Sequence, residues 1–189
     1  MAEQSCFENF DIEDVSLCPQ EEVQAGITEE IQYMPSDHVD KEAAESEDTD
    51  FEGSVSLTGD IVPITGKGFK KLKMQVDLNG LKSVLVGNKG NKKVQVTIEA
   101  FLPGMRPKLV GFQKLMKNVG VILIVKDLNG NKWQIGTKDI PARFENIDID
   151  SGKTLEDNNG ATLNIVCNTY PRLYTGNIPA VPVVPPTGG

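Results

Sequence analysis

The chain of 189 residues holds one histidine, one tryptophan and three cysteines, and aromatic residues make up only 6% of it. Each shortage excludes something. With His38 alone, histidine triads, dyads and multi-histidine metal sites have no second member. Cys6, Cys18 and Cys167 show no Cys-x-x-Cys spacing, so a thiolate zinc site is not expected, and the odd count suits free thiols in a reducing compartment. The longest apolar run, Val121 to Val125 (VILIV), is far too short for a transmembrane helix. The opening residues MAEQSCFENF have neither the basic nor the apolar stretch of a secretory signal. No membrane association is expected.

Catalytic motifs are missing as well. In TGKGFKK, Gly66-Lys67 is followed by Gly68, where a phosphate-binding loop needs Ser or Thr. Glu145, Asp148 and Asp150 in FENIDID alternate as the solvated face of a strand does, rather than converging as an acid–base pair. His38 is expected in an exposed loop. No catalytic residue, metal or cofactor is assigned, and the chain reads as non-enzymatic.

What the sequence has in quantity is charge, and the two signs are segregated. Residues 1–60 carry 18 Asp and Glu against the single basic Lys41, a net of −17, while the other 129 residues carry 18 Lys and Arg against 9 acids, a net of +9. Such asymmetry points to a partner of opposite sign, either nucleic acid or the acidic part of a neighbouring copy. Twelve of the basic residues lie between Lys67 and Lys117, with Asp77 and Glu99 as the only acids among them.

The pattern divides the chain into an acidic arm and loop over 1–50, a β-rich body over 51–177, and a proline-rich extended tail over 178–189. The stretch KEAAESEDTD (41–50) is acidic and poor in aromatics, as mobile loops are. In the body, KLKMQVDL alternates strictly and predicts a strand with Leu72, Met74, Val76 and Leu78 on one face. VQVTIEAFL, VGVILIVKD, KWQIG, ARFENIDID and ATLNIVCNTY read as further strands. RPKLVGFQKLMKN is the one helical segment, with Leu109, Phe112, Leu115 and Met116 at helical spacing and Pro107 in the first turn. The fold class is mainly β with one flanking helix, plus the arm and the tail.

KDLNGNKWQIGTKD (126–139) has two readings. Asp127, Asn129 and Asn131 alternate as calcium ligands do, but counting from Asp127 the sixth and twelfth positions are Lys132 and Lys138, where a calcium loop needs Gly and Glu. The same DLNG occurs at Asp77–Gly80, again after an apolar strand, so both copies are expected to be hairpin turns.

The order of the pieces resembles the tail tube proteins of tailed bacteriophages. It runs from LCPQEEVQAGITEEIQYMP through FEGSVSLTGDIVPITGKGFKKLKMQVDLNGLKS, GNKGNKK, FLPG, GFQKLMKN, DLNGNKWQIGTKDIPA and SGKT to YTGNI, and so covers about residues 15–177. The resemblance implies a β-sandwich or partly closed β-barrel with one flanking helix, and a non-enzymatic structural subunit of a virion. It implies rings stacked into a tube through which genomic DNA passes without sequence-specific contacts, with other tail or portal proteins as partners. It also implies a location in the virion tail or neck after assembly in the host cytoplasm. The charged loop and the proline-rich tail depart from a plain tube subunit. They leave two alternatives open, a hexameric tube ring and a neck ring that follows the portal's higher symmetry. A nucleic-acid-binding module of OB-like build is the other reading of a basic β-rich body.

For a ring subunit, the charge division predicts that the acidic arm docks on a basic surface of a neighbouring copy. Lys71 and Lys73 on the polar face of KLKMQVDL, with Lys92 and Lys93, are the candidate basic contacts. Ile27, Ile31 and Tyr33 in GITEEIQYMP are the candidate apolar anchors.

Overall fold

Successive residues of a strand face opposite ways, so a strand made of VILIV must be covered on both faces. That requirement organises the molecule. In the computed structural model, which describes residues 13–15, 22–154 and 156–181, all five residues Val121–Val125 are buried. Val121, Leu123 and Val125 enter a larger core, while Ile122 and Ile124 enter a smaller one on the opposite face.

The strands are β1 (Ile27–Pro35), β2 (Val39–Lys41), β3 (Ala44–Glu45), β4 (Ser56–Thr58), β5 (Val62–Pro63), β6 (Lys70–Lys73), β7 (Gly80–Val86) and β8 (Lys93–Pro103). After the helix α1 (Pro107–Met116) follow β9 (Gly120–Asp127), β10 (Lys132–Ile135), β11 (Ala142–Asp150), β12 (Gly160–Cys167) and β13 (Arg172–Tyr174). The fold is mainly β with a single flanking helix. One mixed sheet carries most strands, in the order β3-β4-β13-β10-β9-β11-β12-β8-β7, and β1 joins β9 to β6 off that path. All pairings are antiparallel except β4 with β13.

The sheet branches at β9. One edge of β9 pairs with β1 from Val121 to Val125. The other edge pairs with β11 at Gly120 and Val121, then with β10 from Leu123 to Lys126. One arm therefore runs β6-β1-β9-β10-β13-β4-β3 and the second runs β11-β12-β8-β7. The larger core draws on both: Ile31, Leu72 and Val125 from the first, Val96, Ile98, Phe144 and Leu163 from the second. The smaller core covers the outer face of the first arm with Val39, Leu57, Ile61, Phe69 and Tyr174. Tyr174 ties this layer together, since its hydroxyl donates to the Asn177 carbonyl (2.6 Å) and accepts from Ile61 N–H (3.2 Å).

The acidic arm expected over 1–50 is not an appendage throughout. β1 lies inside the sheet, where Ile31 and Met34 are wholly buried on its two faces, and β3 pairs with β4. Residues 1–12 and 16–21 lie outside the described residues. His38 is half-buried in a 3-10 turn over Ser36–His38 rather than in an open loop, and its carbonyl accepts from Ile64 N–H (2.9 Å). At the other end, the tail expected from 178 onward begins docked. Phe69 N–H donates to the Pro179 carbonyl (2.9 Å), and Gly68 leaves room for Ala180, whose backbone would lie 2.7 Å from a Cβ there. Residues 182–189 lie outside the described residues.

The two DLNG copies fold differently. At Asp127–Gly130 the hairpin is present: Asp127 N–H donates to the Asn131 carbonyl (3.0 Å), and Gly130 takes φ +100°. At Asp77–Gly80 no hairpin forms, because the strand before it pairs with β1 and the one after it with β8. KLKMQVDL accordingly stops being a strand at Lys73; Leu72 and Met74 are buried, but Val76 and Leu78 are exposed. The chain crosses there from one arm to the other. Gln75 N–H donates to the Phe101 carbonyl (2.8 Å), and the Asn79 side chain bridges Gln75 and Phe101. Asp77 supplies the left-handed residue, φ 67°, which a short polar side chain tolerates.

Candidate functional site

Among the described residues β6 pairs only with β1, and its other edge is open between Phe69, which is bonded to Pro179, and Gln75, which is bonded to Phe101. That edge borders a cleft of about 770 Å³, closed on its far side by the end of β8 and the start of α1. Its rim is Lys70, Lys71 and Lys73 from β6 with Arg106 and Lys108 from the helix entrance, and no carboxylate among the described residues lines it. All five cations are exposed. Lys71 reaches Glu30 on β1 (2.8 Å); no ion pair of the other four is found among the described residues.

Alternation along β6 sets the chemistry of the two faces. Leu72 stands opposite Ile31 and Lys70 opposite Tyr33, so these share the face turned to the larger core, while Lys71 and Lys73 take the opposite face. The floor on the core side includes Leu72, Met74, Leu109 and Phe112. Here α1 contributes in the way its apolar stripe predicts. Leu109 and Met116 are buried, and Phe112 stacks edge-on between Tyr33 (5.8 Å) and Phe144 (5.3 Å). Gln113 Nε2 donates to the Ile147 carbonyl (2.6 Å), which fixes the helix against β11. Leu115, expected on the same stripe, is 72% exposed; it sits about 100° round the helix from Met116. Burial raises the Tyr33 phenol above its ordinary pKa, so the cleft wall is a neutral hydroxyl-bearing ring.

The candidate residues separate cleanly. Tyr33, Lys71 and Lys73 meet at the cleft. Ile27 and Ile31, expected to anchor a neighbour, are instead 7% and 0% exposed within the chain's own core, because β1 is an interior strand. Lys92 and Lys93 are not beside Lys71 and Lys73: Lys93 begins β8, whose other end reaches the cleft, about 30 Å further along the strand. Lys70, Arg106, Lys108 and Phe112 were not singled out as contacts. The density of basic residues between Lys67 and Lys117 was their signal, but only the fold brings the β6 group to the helix entrance.

Opposite charge collects at the far end of the same arm. Six inter-strand spacings separate β6 from β3, a span of about 29 Å. At the end of β3 and just after it, Glu45, Glu47, Asp48 and Glu52 are exposed, and Arg172 pairs with Glu45 (3.1 Å). Phe51 N–H donates to Glu13 (3.4 Å), so Glu13 lies beside this acidic end.

The suspected calcium loop is filled by its own chain. Burial pushes the Asp127 carboxyl up, but hydrogen bonds from Trp133 Nε1 (2.8 Å), Asn131 Nδ2 (3.0 Å) and Asn131 N–H (2.8 Å) outweigh it and hold the pKa below the ordinary value. Both carboxylate oxygens are engaged in the turn. Elsewhere, no cluster of three or more His, Cys, Asp or Glu that could hold a metal occurs among the described residues. Compared with family models, curated proteins and solved structures, the chain matches none.

Proposed function

We propose that the chain is a structural subunit that associates with copies of itself head to tail into a ring, as a tube or neck ring of a tailed-phage virion. The observation that carries this reading is the two-ended sheet. A free basic strand edge at β6 and an acidic end at β3 lie about 29 Å apart on one arm. Unlike ends of one subunit make a heterologous contact, which closes into a ring when the rotation per copy allows it. Free edges must be covered or shared, and a ring shares them. The branching sheet around one core, with Gln75 and Asn79 linking its two arms, is best described as a β-sandwich verging on a partly closed barrel. That build and the single flanking helix are in keeping with the tail-tube resemblance. Genomic DNA would pass through the lumen without base-specific contacts.

The carboxylate-free cleft favours a second reading, an OB-like nucleic-acid-binding module. Single-strand grooves present aromatic faces for stacking; here Tyr33 and Phe112 are committed to each other edge-on. Sedimentation at two salt concentrations, with and without an oligodeoxynucleotide, tests the pair of readings. A ring subunit sediments as an oligomer without DNA. A nucleic-acid module sediments as a monomer whose DNA binding falls steeply with salt.

A further inference from the structure

We propose that the cleft beside β6 receives residues Phe10–Glu13 of a second copy as a short added strand. The argument starts from the free edge. An extended segment laid along β6 satisfies that edge with main-chain hydrogen bonds, and its alternate side chains then face the two sides that β6 already presents. One side is apolar, with Leu72, Met74, Leu109 and Phe112; the other carries Lys71 and Lys73 two residues apart. The occupant must therefore alternate apolar and acidic residues. FDIE does so: Phe10 and Ile12 alternate with Asp11 and Glu13, and the segment has no basic residue. Asp11 and Glu13, also two residues apart, match the spacing of Lys71 and Lys73 along neighbouring strands. Arg106 and Lys108 at the helix entrance add positive charge on the remaining side.

The geometry assigns the segment to another copy rather than to its own. Glu13 lies beside Phe51 at the acidic end of the sheet, and Val15 is 87% exposed there. Its own cleft lies six inter-strand spacings away along the arm. When the acidic end of one copy abuts the β6 edge of the next, Glu13 lies at the junction. The proposal rests on the ring-subunit reading for the head-to-tail arrangement, and it corrects the anchors expected from sequence. Phe10 and Ile12 take the role assigned to Ile27 and Ile31, which the core uses.

Zero-length carbodiimide coupling of the full chain tests it, with unlabelled protein mixed with heavy-isotope protein so that mass spectrometry separates contacts within and between copies. The expected result is mixed-isotope cross-links joining Asp11 or Glu13 to Lys70, Lys71, Lys73 or Lys108. Lys71→Glu with Lys73→Glu, which removes two of the coupling amines, is read at Lys70 and Lys108 alone, where the yield falls by about tenfold at low salt. Phe10→Asp with Ile12→Asp, which leaves both carboxylates in place, abolishes them as well. Isotope-pure cross-links, unchanged yield in the Phe10/Ile12 variant, or cross-links that avoid the cleft overturn the proposal. So does the absence of cross-links in a chain whose oligodeoxynucleotide binding is lost on reversing Lys71 and Lys73, which makes the cleft a nucleic-acid groove. Rings without these cross-links sink the added strand and leave the ring reading standing. Mixed-isotope cross-links in a preparation that forms open chains and no closed ring keep the docking and sink the ring.

Discussion

Ile31→Ala separates the two roles that Ile31 could have. In the structure its side chain is fully buried, and it lies opposite Leu72 on one neighbouring strand and Val125 on the other. Truncation removes three carbons from a site walled by interior strands, where little can collapse into the space. Large-to-small changes of this kind cost about 2–5 kcal/mol, and the enclosed position argues for about 3–4 kcal/mol. For a domain of this size that lowers the thermal midpoint by about 10 °C. Urea unfolding followed by fluorescence reads it directly, since Trp133 is the only tryptophan and sits half-buried against the larger core. Leu85→Ala is the control: Leu85 is 67% exposed on the edge strand β7, and its truncation should stay within about 0.5 kcal/mol. If Ile31→Ala left the unfolding curve in place while weakening association between copies, Ile31 would be an interface anchor and the placement of β1 in the core would be refuted.

Other outcomes follow from particular contacts. Because the native Asp127 carboxyl titrates below its ordinary value of 3.8, its stabilising contribution is present above that value and is lost as pH falls through the lower native pKa; unfolding curves of wild type and Asp127→Ala should converge in acid and separate at neutral pH. Since Asn131 and Trp133 already occupy both oxygens of that carboxylate, calcium and EDTA should give the same thermal midpoint, and a calcium-dependent rise would restore the metal reading. Gly68→Ala places a methyl group against Ala180 and Val181, so limited proteolysis should cut near residue 178 faster in the variant than in wild type; equal rates would mean that the segment is held elsewhere.

How legible the fold was depended on whether one strand's neighbours could be guessed. VILIV announced a strand buried on both faces without knowledge of its partners, and β8 and β12 alternated as half-buried strands do. β1 was harder. Its Ile27, Ile31 and Met34 keep no strict alternation, because the strand is covered on both faces and bulges against β9 between Ile27 and Ile31. Its acidic surroundings then assigned it to an arm. The two DLNG copies show the limit of a turn motif. Identical letters close a hairpin where the flanking strands pair with each other, and cross between arms where they pair with β1 and β8. The cleft was legible as charge only. Lys71 and Lys73 were visible on a polar strand face, whereas the approach of Arg106 and Lys108 depends on α1 docking over β11, a contact no local pattern specifies.

The central claim is that unlike ends of the subunit meet and close. Negative-stain electron microscopy of the purified full chain, with copy number counted by native mass spectrometry, tests it most directly. The account predicts closed rings of one defined copy number that loosen when Lys71 and Lys73 are reversed to glutamate. Monomers at every concentration, in a chain that is folded by its unfolding curve, would contradict it.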